Sequence, residues 1–163
     1  MSTVPDRQHT VNVRTPAGDA FSGLAYRVLR LAGLLTAAGD ALAKPAGQTS
    51  ARWQVMAAVE VEPASVSAIA RALGLARQSV QRVADALESG GLVAFEDNPR
   101  HRRARLMRLT PAGRTALAAI QAAQAPWADS VGASVGAAKL ERANGVLDQV
   151  LASLAEAAER ESA

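Results

Sequence analysis

The chain has 163 residues, no cysteine and a formal net charge of +3, which fits one compact domain and excludes disulfides, thiolate metal sites and thiol redox chemistry. Aromatic residues make up only 3% of it while hydrophobic residues make up 49%, so the core must be built from Leu, Val and Ala at close helix contacts, a composition that favours helices. The charge is uneven, because residues 71–108 carry eight arginines against four acids whereas residues 109–163 are net acidic.

Residues 1–18 are polar, contain Pro5 and Pro16 and show no sustained period, so a flexible N-terminal arm is expected. Neither a signal-type apolar core nor a run of membrane-spanning length is visible, which leads to the expectation of a cytoplasmic protein. From Asp19 onward, Phe21, Leu24, Val28, Leu31, Leu35, Ala38 and Leu42 mark one face of a long helix ending before Pro45. Thr49 or Ser50 can cap the next helix, which Glu62-Pro63 is expected to end. In residues 65–73, Val66, Ile69, Ala70 and Leu73 recur at helical spacing, and Gly74 stops that helix. Val80, Val83, Ala84 and Leu87 repeat the spacing. Arg77, Gln78, Ser79, Gln81 and Arg82 fall off this second stripe and face outward, and Gly90-Gly91 ends the helix.

The period then changes. Residues 92–95 and 105–109 are short β-compatible runs flanking Asn98-Pro99 and can pair as a hairpin. From Arg100 to Arg108 there are five arginines (Arg100, Arg102, Arg103, Arg105, Arg108) and no acid. Thr110-Pro111 opens another helix, with Pro at the first helical position. It runs through Leu117 and Ile120 toward Pro126, which is expected to kink or break it, and residues 132–136 form a second soft spot. A last helix carries Leu140, Leu147, Val150, Leu151 and Leu154 on one face.

Two helices joined by a Gly-containing turn can lay the second helix in a DNA major groove, and a hairpin after them makes a wing. Gln pairs with adenine and Arg with guanine through two bonds each, so Arg77, Gln78, Gln81 and Arg82 are chemically able to read base edges. Ser79 can hold a phosphate near the helix N-terminus. Arg100, Arg102 and Arg103, in the turn of the hairpin, suit phosphate contact, while Arg105 is open to a structural role as well. The plainer alternatives are a solvated arginine run and an ordinary amphipathic surface helix. For Arg7, His9 and Arg14 in the arm, a solvated tail is the favoured alternative to DNA contact.

The segment LGLARQSVQRVADALESGGLV followed by DNPRHRRARLMRLTPAG resembles the winged helix-turn-helix of the MarR family of bacterial transcription regulators. The similarity extends over roughly residues 20–158, with the core motif the most specific part. His101 stands where many relatives carry an aspartate, and Ala76 where many carry a polar helix cap. The resemblance implies a mainly α fold with a small β-hairpin wing: an arm at 1–18, then a single domain at 19–163. Within the domain, 49–110 would form the DNA-binding lobe, and 19–44 and 111–160 the dimerisation helices. It implies a homodimer on a pseudo-palindromic operator of double-stranded DNA, with recognition helices about 34 Å apart. It further implies a repressor released by a small anionic or aromatic effector bound between the lobes. Tyr26, Arg30, Trp53 and Met56 are the residues able to line such a crevice, with core packing the alternative for each.

His9 and His101 are isolated, so no metal constellation is read, and no cofactor is expected. No Gly-rich phosphate loop or nucleophile-base set is present, and the chain is not read as an enzyme. The other class left open is a winged helix turned into a protein-interaction module without sequence-specific DNA binding.

Overall fold

The computed structural model describes residues 14–99 and 104–162. Arg7, His9, Arg100, His101, Arg102 and Arg103 lie outside the described residues. Helix α1 (Pro16–Ala43) leads through a 3-10 turn (Lys44–Ala46) to α2 (Ser50–Ala57). Strand β1 (Ala64–Ser65), α3 (Val66–Leu73), α4 (Arg77–Ser89), β2 (Val93–Glu96) and β3 (Leu106–Leu109) follow, then α5 (Pro111–Val135) and α6 (Ala137–Ser162).

The first helix begins earlier than its apolar stripe suggests. Pro16 occupies its first turn, and the Thr15 hydroxyl oxygen accepts from the Gly18 N–H at 3.1 Å, so the cap lies inside the stretch expected to be an arm. Thr49 caps α2, accepting from the Arg52 N–H. That helix ends at Ala57, short of Glu62-Pro63, because the chain tightens there: the Val59 N–H donates to the Met56 carbonyl at 3.2 Å, which turns Val59 into the core.

Helices α3 and α4 pack on each other, and α2 packs against α1, α4 and α5. Gly74, at φ +64°, closes α3 with its N–H on the Ala70 and Arg71 carbonyls, and the Leu75 N–H returns to Ala70 at 2.8 Å. This left-handed closure is one that glycine adopts without a Cβ penalty. Strands β2 and β3 pair antiparallel from Val93↔Leu109 to Glu96↔Leu106. The unexpected β1 joins their outer edge through Ala64↔Met107 and Ser65↔Leu106, giving the order β1-β3-β2.

The core lies within this lobe and the first half of α5. Val55, Met56, Ile69, Val80, Leu87, Met107, Leu109, Leu117 and Ile120 are buried there, whereas α1 contributes little beyond Gly39 and Ala43. Phe21, Leu29, Leu31 and Leu34 on α1, and Val146, Leu151 and Leu154 on α6, are exposed.

Of the kink or break expected at Pro126, the break does not occur: α5 runs unbroken from Pro111 to Val135. Ala122, whose carbonyl the proline leaves without its usual donor, is exposed, as is Pro126, so water can take the place of the missing N–H. The break comes instead at Gly136, at φ +96°, within the glycine-flanked stretch where a soft spot was expected.

Candidate nucleic-acid interface

Helix α4 is held by Val80, Ala84 and Leu87, all buried. That anchoring turns Arg77, Gln78 and Arg82 fully outward, while Ser79 and Gln81 are half-buried at the margin. Of the five residues singled out from the sequence, Arg77, Gln78 and Arg82 are thus exposed, with Ser79 and Gln81 at the edges of the arc they occupy. The Ala76 position offers no side-chain cap; the Ser79 and Val80 N–H groups donate to its carbonyl, and the Arg77 and Gln78 N–H groups stay available to an acceptor from outside the helix.

Two side-chain contacts order this face. Gln81 Nε2 donates to Asp85 Oδ1 at 2.7 Å, one turn further along. Because a carboxylate only accepts, this contact fixes which end of the Gln81 amide carries the NH2 group and turns Oε1 away from Asp85. Arg82 Nη2 reaches the Ser79 hydroxyl at 3.4 Å, a long contact that leaves the guanidinium with most of its donors for a ligand.

Two exposed arginines brace the stem of the wing along its surface. Arg105 Nη2 donates to the Phe95 carbonyl at 2.9 Å, and its guanidinium carbon lies 5.1 Å from the centre of the Phe95 ring, within cation-π range. Arg108 pairs with Glu96 at 2.9 Å, both side chains being nearly half exposed. These two arginines therefore hold the hairpin. The wing is tied to α5 through Thr110, whose N–H donates to the Leu92 carbonyl at 3.0 Å. Its hydroxyl donates to Gly91 O at 2.7 Å and accepts from the Gly113 N–H at 3.0 Å. The base of the wing and the start of α5 are consequently one rigid corner.

Between α4 and the wing runs a polar cleft of about 260 Å³ lined by Ser65, Ser67, Arg77, Gln81, Asp85 and Arg105, among others. Among the described residues, no group of three or more His, Asp or Glu is placed to hold a metal, and no helix is long and apolar enough to cross a membrane.

The residues read as able to line an effector crevice are not brought together. Trp53 lines a groove of about 540 Å³ between α1, α2 and α5, with Leu35, Thr36, Ser50, Gln54 and Trp127. Met56 is fully buried in the core, one helical step away from that groove. Tyr26 is 63% exposed and stands outside it, with the Arg30 guanidinium 6.0 Å from its ring centre. Trp127, just past Pro126 in α5, lines this groove without a local sequence signal that marks it. A second groove, between α1 and α6, is lined by Phe21, Leu24, Val28, Leu147, Val150 and Leu151 and is almost wholly apolar.

Comparison with known proteins agrees with this geometry. The MarR family model matches residues 46–104, from the 3-10 turn to the far side of the wing. An uncharacterized protein of Mycobacterium tuberculosis is 43% identical over 102 residues, covering 63% of this chain and 71% of that protein. The M. tuberculosis transcriptional regulator MosR, solved in complex with DNA, superposes with a TM-score of 0.67 at 25% identity, over 80% of this chain and 96% of that one. The transcriptional repressor CouR, bound to a 23-mer DNA duplex, gives a TM-score of 0.66 at 25% identity, over 88% and 99%.

Proposed function

We propose, from the premise that the chain belongs to the MarR family of transcription regulators, that it is a sequence-specific DNA-binding repressor. It acts as a homodimer on a pseudo-palindromic operator and leaves the DNA when a small molecule binds. The observation that carries this reading is the outward side of α4: Arg77, Gln78, Gln81 and Arg82 stand on a helix fixed by a buried stripe, beside a wing whose stem is braced.

The division of labour follows from chemistry. With Arg105 and Arg108 engaged in the stem, phosphate contact falls to Arg100, Arg102 and Arg103, and this sequence-independent attraction supplies the bulk of nonspecific affinity. Base discrimination falls to the α4 face. Ser79 takes a phosphate near the start of α4, where the helix dipole favours an anion.

The exposed leucines of α1 and α6, and the apolar groove between them, support association of two copies through the long helices, since faces of this kind are seldom left to water. In the resulting dimer the two α4 helices are spaced about one DNA turn, 34 Å, apart. The groove holding Trp53 and Trp127 supports the effector reading. It lies where α2 meets α1 and α5, and α2 also packs against α4, so a ligand there is able to alter the spacing of the recognition helices.

The test is fluorescence anisotropy of the purified protein on the DNA flanking its own gene and on random DNA, titrated with salt. A preference for the flanking DNA and a steep salt slope are expected. Equal affinity for both would instead favour a protein-interaction module.

A further inference from the structure

Recognition by α4 depends on which way its amides face, because a carboxamide carries an acceptor at one end and donors at the other. Arg77 and Arg82 only donate, so their readout has no such ambiguity. Of the two glutamines on this helix, Gln78 is exposed and has no side-chain partner among the described residues, so its amide turns to suit whichever base it meets. Gln81 differs. It is half-buried beside the cleft between α4 and the wing, and its Nε2 donates to Asp85 Oδ1 at 2.7 Å.

Positions 81 and 85 lie one turn apart on α4, so the helix itself sets the two side chains next to each other. Asp85 forms no ion pair among the described residues, which leaves its charge for the amide. A hydrogen bond to a carboxylate is about twice as strong as one between neutral groups, and the reversed amide would set Oε1 against Oδ1, acceptor facing acceptor. With one N–H engaged by Asp85, Gln81 keeps its second N–H and the whole of Oε1 for DNA. Adenine presents the N6 amino group as donor beside N7 as acceptor, and matches that pair. Guanine presents acceptors alone, N7 and O6.

We infer that Asp85 is a specificity-determining residue that acts through Gln81: by holding the amide with Oε1 free, it makes Gln81 select an A·T pair and reject G·C. The inference rests on the reading of α4 as the base-reading helix. Selectivity of this kind comes from a penalty on the wrong partner. Against guanine the fixed Oε1 meets O6 or N7 in a contact that excludes water, and a desolvated acceptor without a donor is costly. A glutamine free to turn escapes that penalty by presenting its N–H groups instead. Asp85 acts as a positioning residue, and contacts no base itself.

The test uses the full-length protein and the duplex flanking its own gene, with each base pair replaced in turn by the other three, read by fluorescence anisotropy. The position whose preference disappears in Gln81→Ala is the one that this residue reads. There the wild type should bind an A·T duplex about tenfold more tightly than a G·C duplex, the scale of a good bidentate contact. Asp85→Asn keeps the size of the side chain at an exposed position but offers a donor as well as an acceptor, so the Gln81 amide can turn. The ratio should then fall to about twofold or less, as G·C ceases to be rejected. Loss of a negative charge raises affinity for all duplexes alike, so the readout is the ratio between them. Gln81→Ala alone and Gln81→Ala combined with Asp85→Asn should give the same profile, since nothing is left to orient. A G·C preference of the wild type at that position, or a ratio that Asp85→Asn leaves unmoved, overturns the inference. So does a profile that Asp85→Asn still alters in the absence of Gln81, which would show Asp85 reading a base directly. A wild type that discriminates at no position dependent on Gln81 overturns it too, while leaving the regulator reading intact. Equal binding of every duplex is the distinct result that removes the regulator reading, and the inference with it.

Discussion

Gly113→Ala isolates a tertiary constraint that opposes local propensity. Within a helix, alanine is ordinarily better than glycine by about 1 kcal/mol, so the change would stabilise α5 if that helix stood alone. A Cβ at this position would instead collide with the Leu92 carbonyl oxygen and lie 2.9 Å from its carbon and 3.2 Å from Leu109 Cδ2. Two of these obstacles are backbone atoms, which cannot rotate aside. The start of α5 must then withdraw from the wing, breaking the Thr110 bonds to Leu92 and Gly91 at 3.0 and 2.7 Å. It must also disturb the packing of Leu109 and Leu117, both buried. Two hydrogen bonds at about 1 kcal/mol each and a repacking cost of about 1–3 kcal/mol give a loss of about 3–5 kcal/mol before the small propensity gain. For a chain of this length that corresponds to a fall in melting temperature on the order of 10 °C. Gly132→Ala is the control, since in the same helix a Cβ there meets nothing within 4 Å, and it should be neutral or stabilising by about 0.5–1 kcal/mol. Thermal unfolding followed by far-UV circular dichroism measures both. A Gly113→Ala protein melting within about 2 °C of wild type would refute the rigid corner between wing and α5.

Three further outcomes are expected. Leu151→Asp places a charge on a residue 64% exposed in the single chain but buried in the proposed dimer. It should convert the dimer to monomer by light scattering at micromolar concentration, and a monomeric wild type would contradict the interface outright. Arg108→Ala should cost no more than about 1 kcal/mol, because its pair with Glu96 is nearly half exposed; a larger loss in urea unfolding would mean that the pair has a greater structural share. Asp85→Ala releases the Gln81 amide and should relax discrimination at one base position per half-site while leaving random-DNA affinity equal or higher. An unchanged base preference in a selection assay would show that Asp85 does not orient Gln81.

What was legible in the sequence is what short-range chemistry decides. The stripes Val66-Ile69-Ala70-Leu73 and Val80-Val83-Ala84-Leu87, the stop at Gly74 and the paired runs around Asn98-Pro99 are local signals, and the elements follow them. Off the second stripe, Arg77, Gln78 and Arg82 are accordingly exposed on α4. The start of α1 is harder to read, although Thr15-Pro16 is the same capping signal as Thr110-Pro111, since no apolar period follows it at once. Strand β1 could not be read, because two residues have no alternation and owe their conformation to Met107 and Leu106 across the sheet. A structural role for Arg105 is open from its strand position, but its partner Phe95 and the pairing of Arg108 with Glu96 are set by hairpin register. Trp127 reaches its groove only because α5 continues through Pro126, which local propensity argues against.

The central claim is that α4 reads bases, and the most direct measurement of it compares operator and random DNA for Arg82→Ala and Gln81→Ala, with Arg100→Ala as the wing counterpart, by anisotropy across a salt series. The helix substitutions should lose about 1–3 kcal/mol on the operator and little on random DNA. Arg100→Ala should weaken both DNAs alike and lower the slope of log affinity against log salt by about one. A specificity ratio unchanged from wild type in both helix variants would contradict the claim.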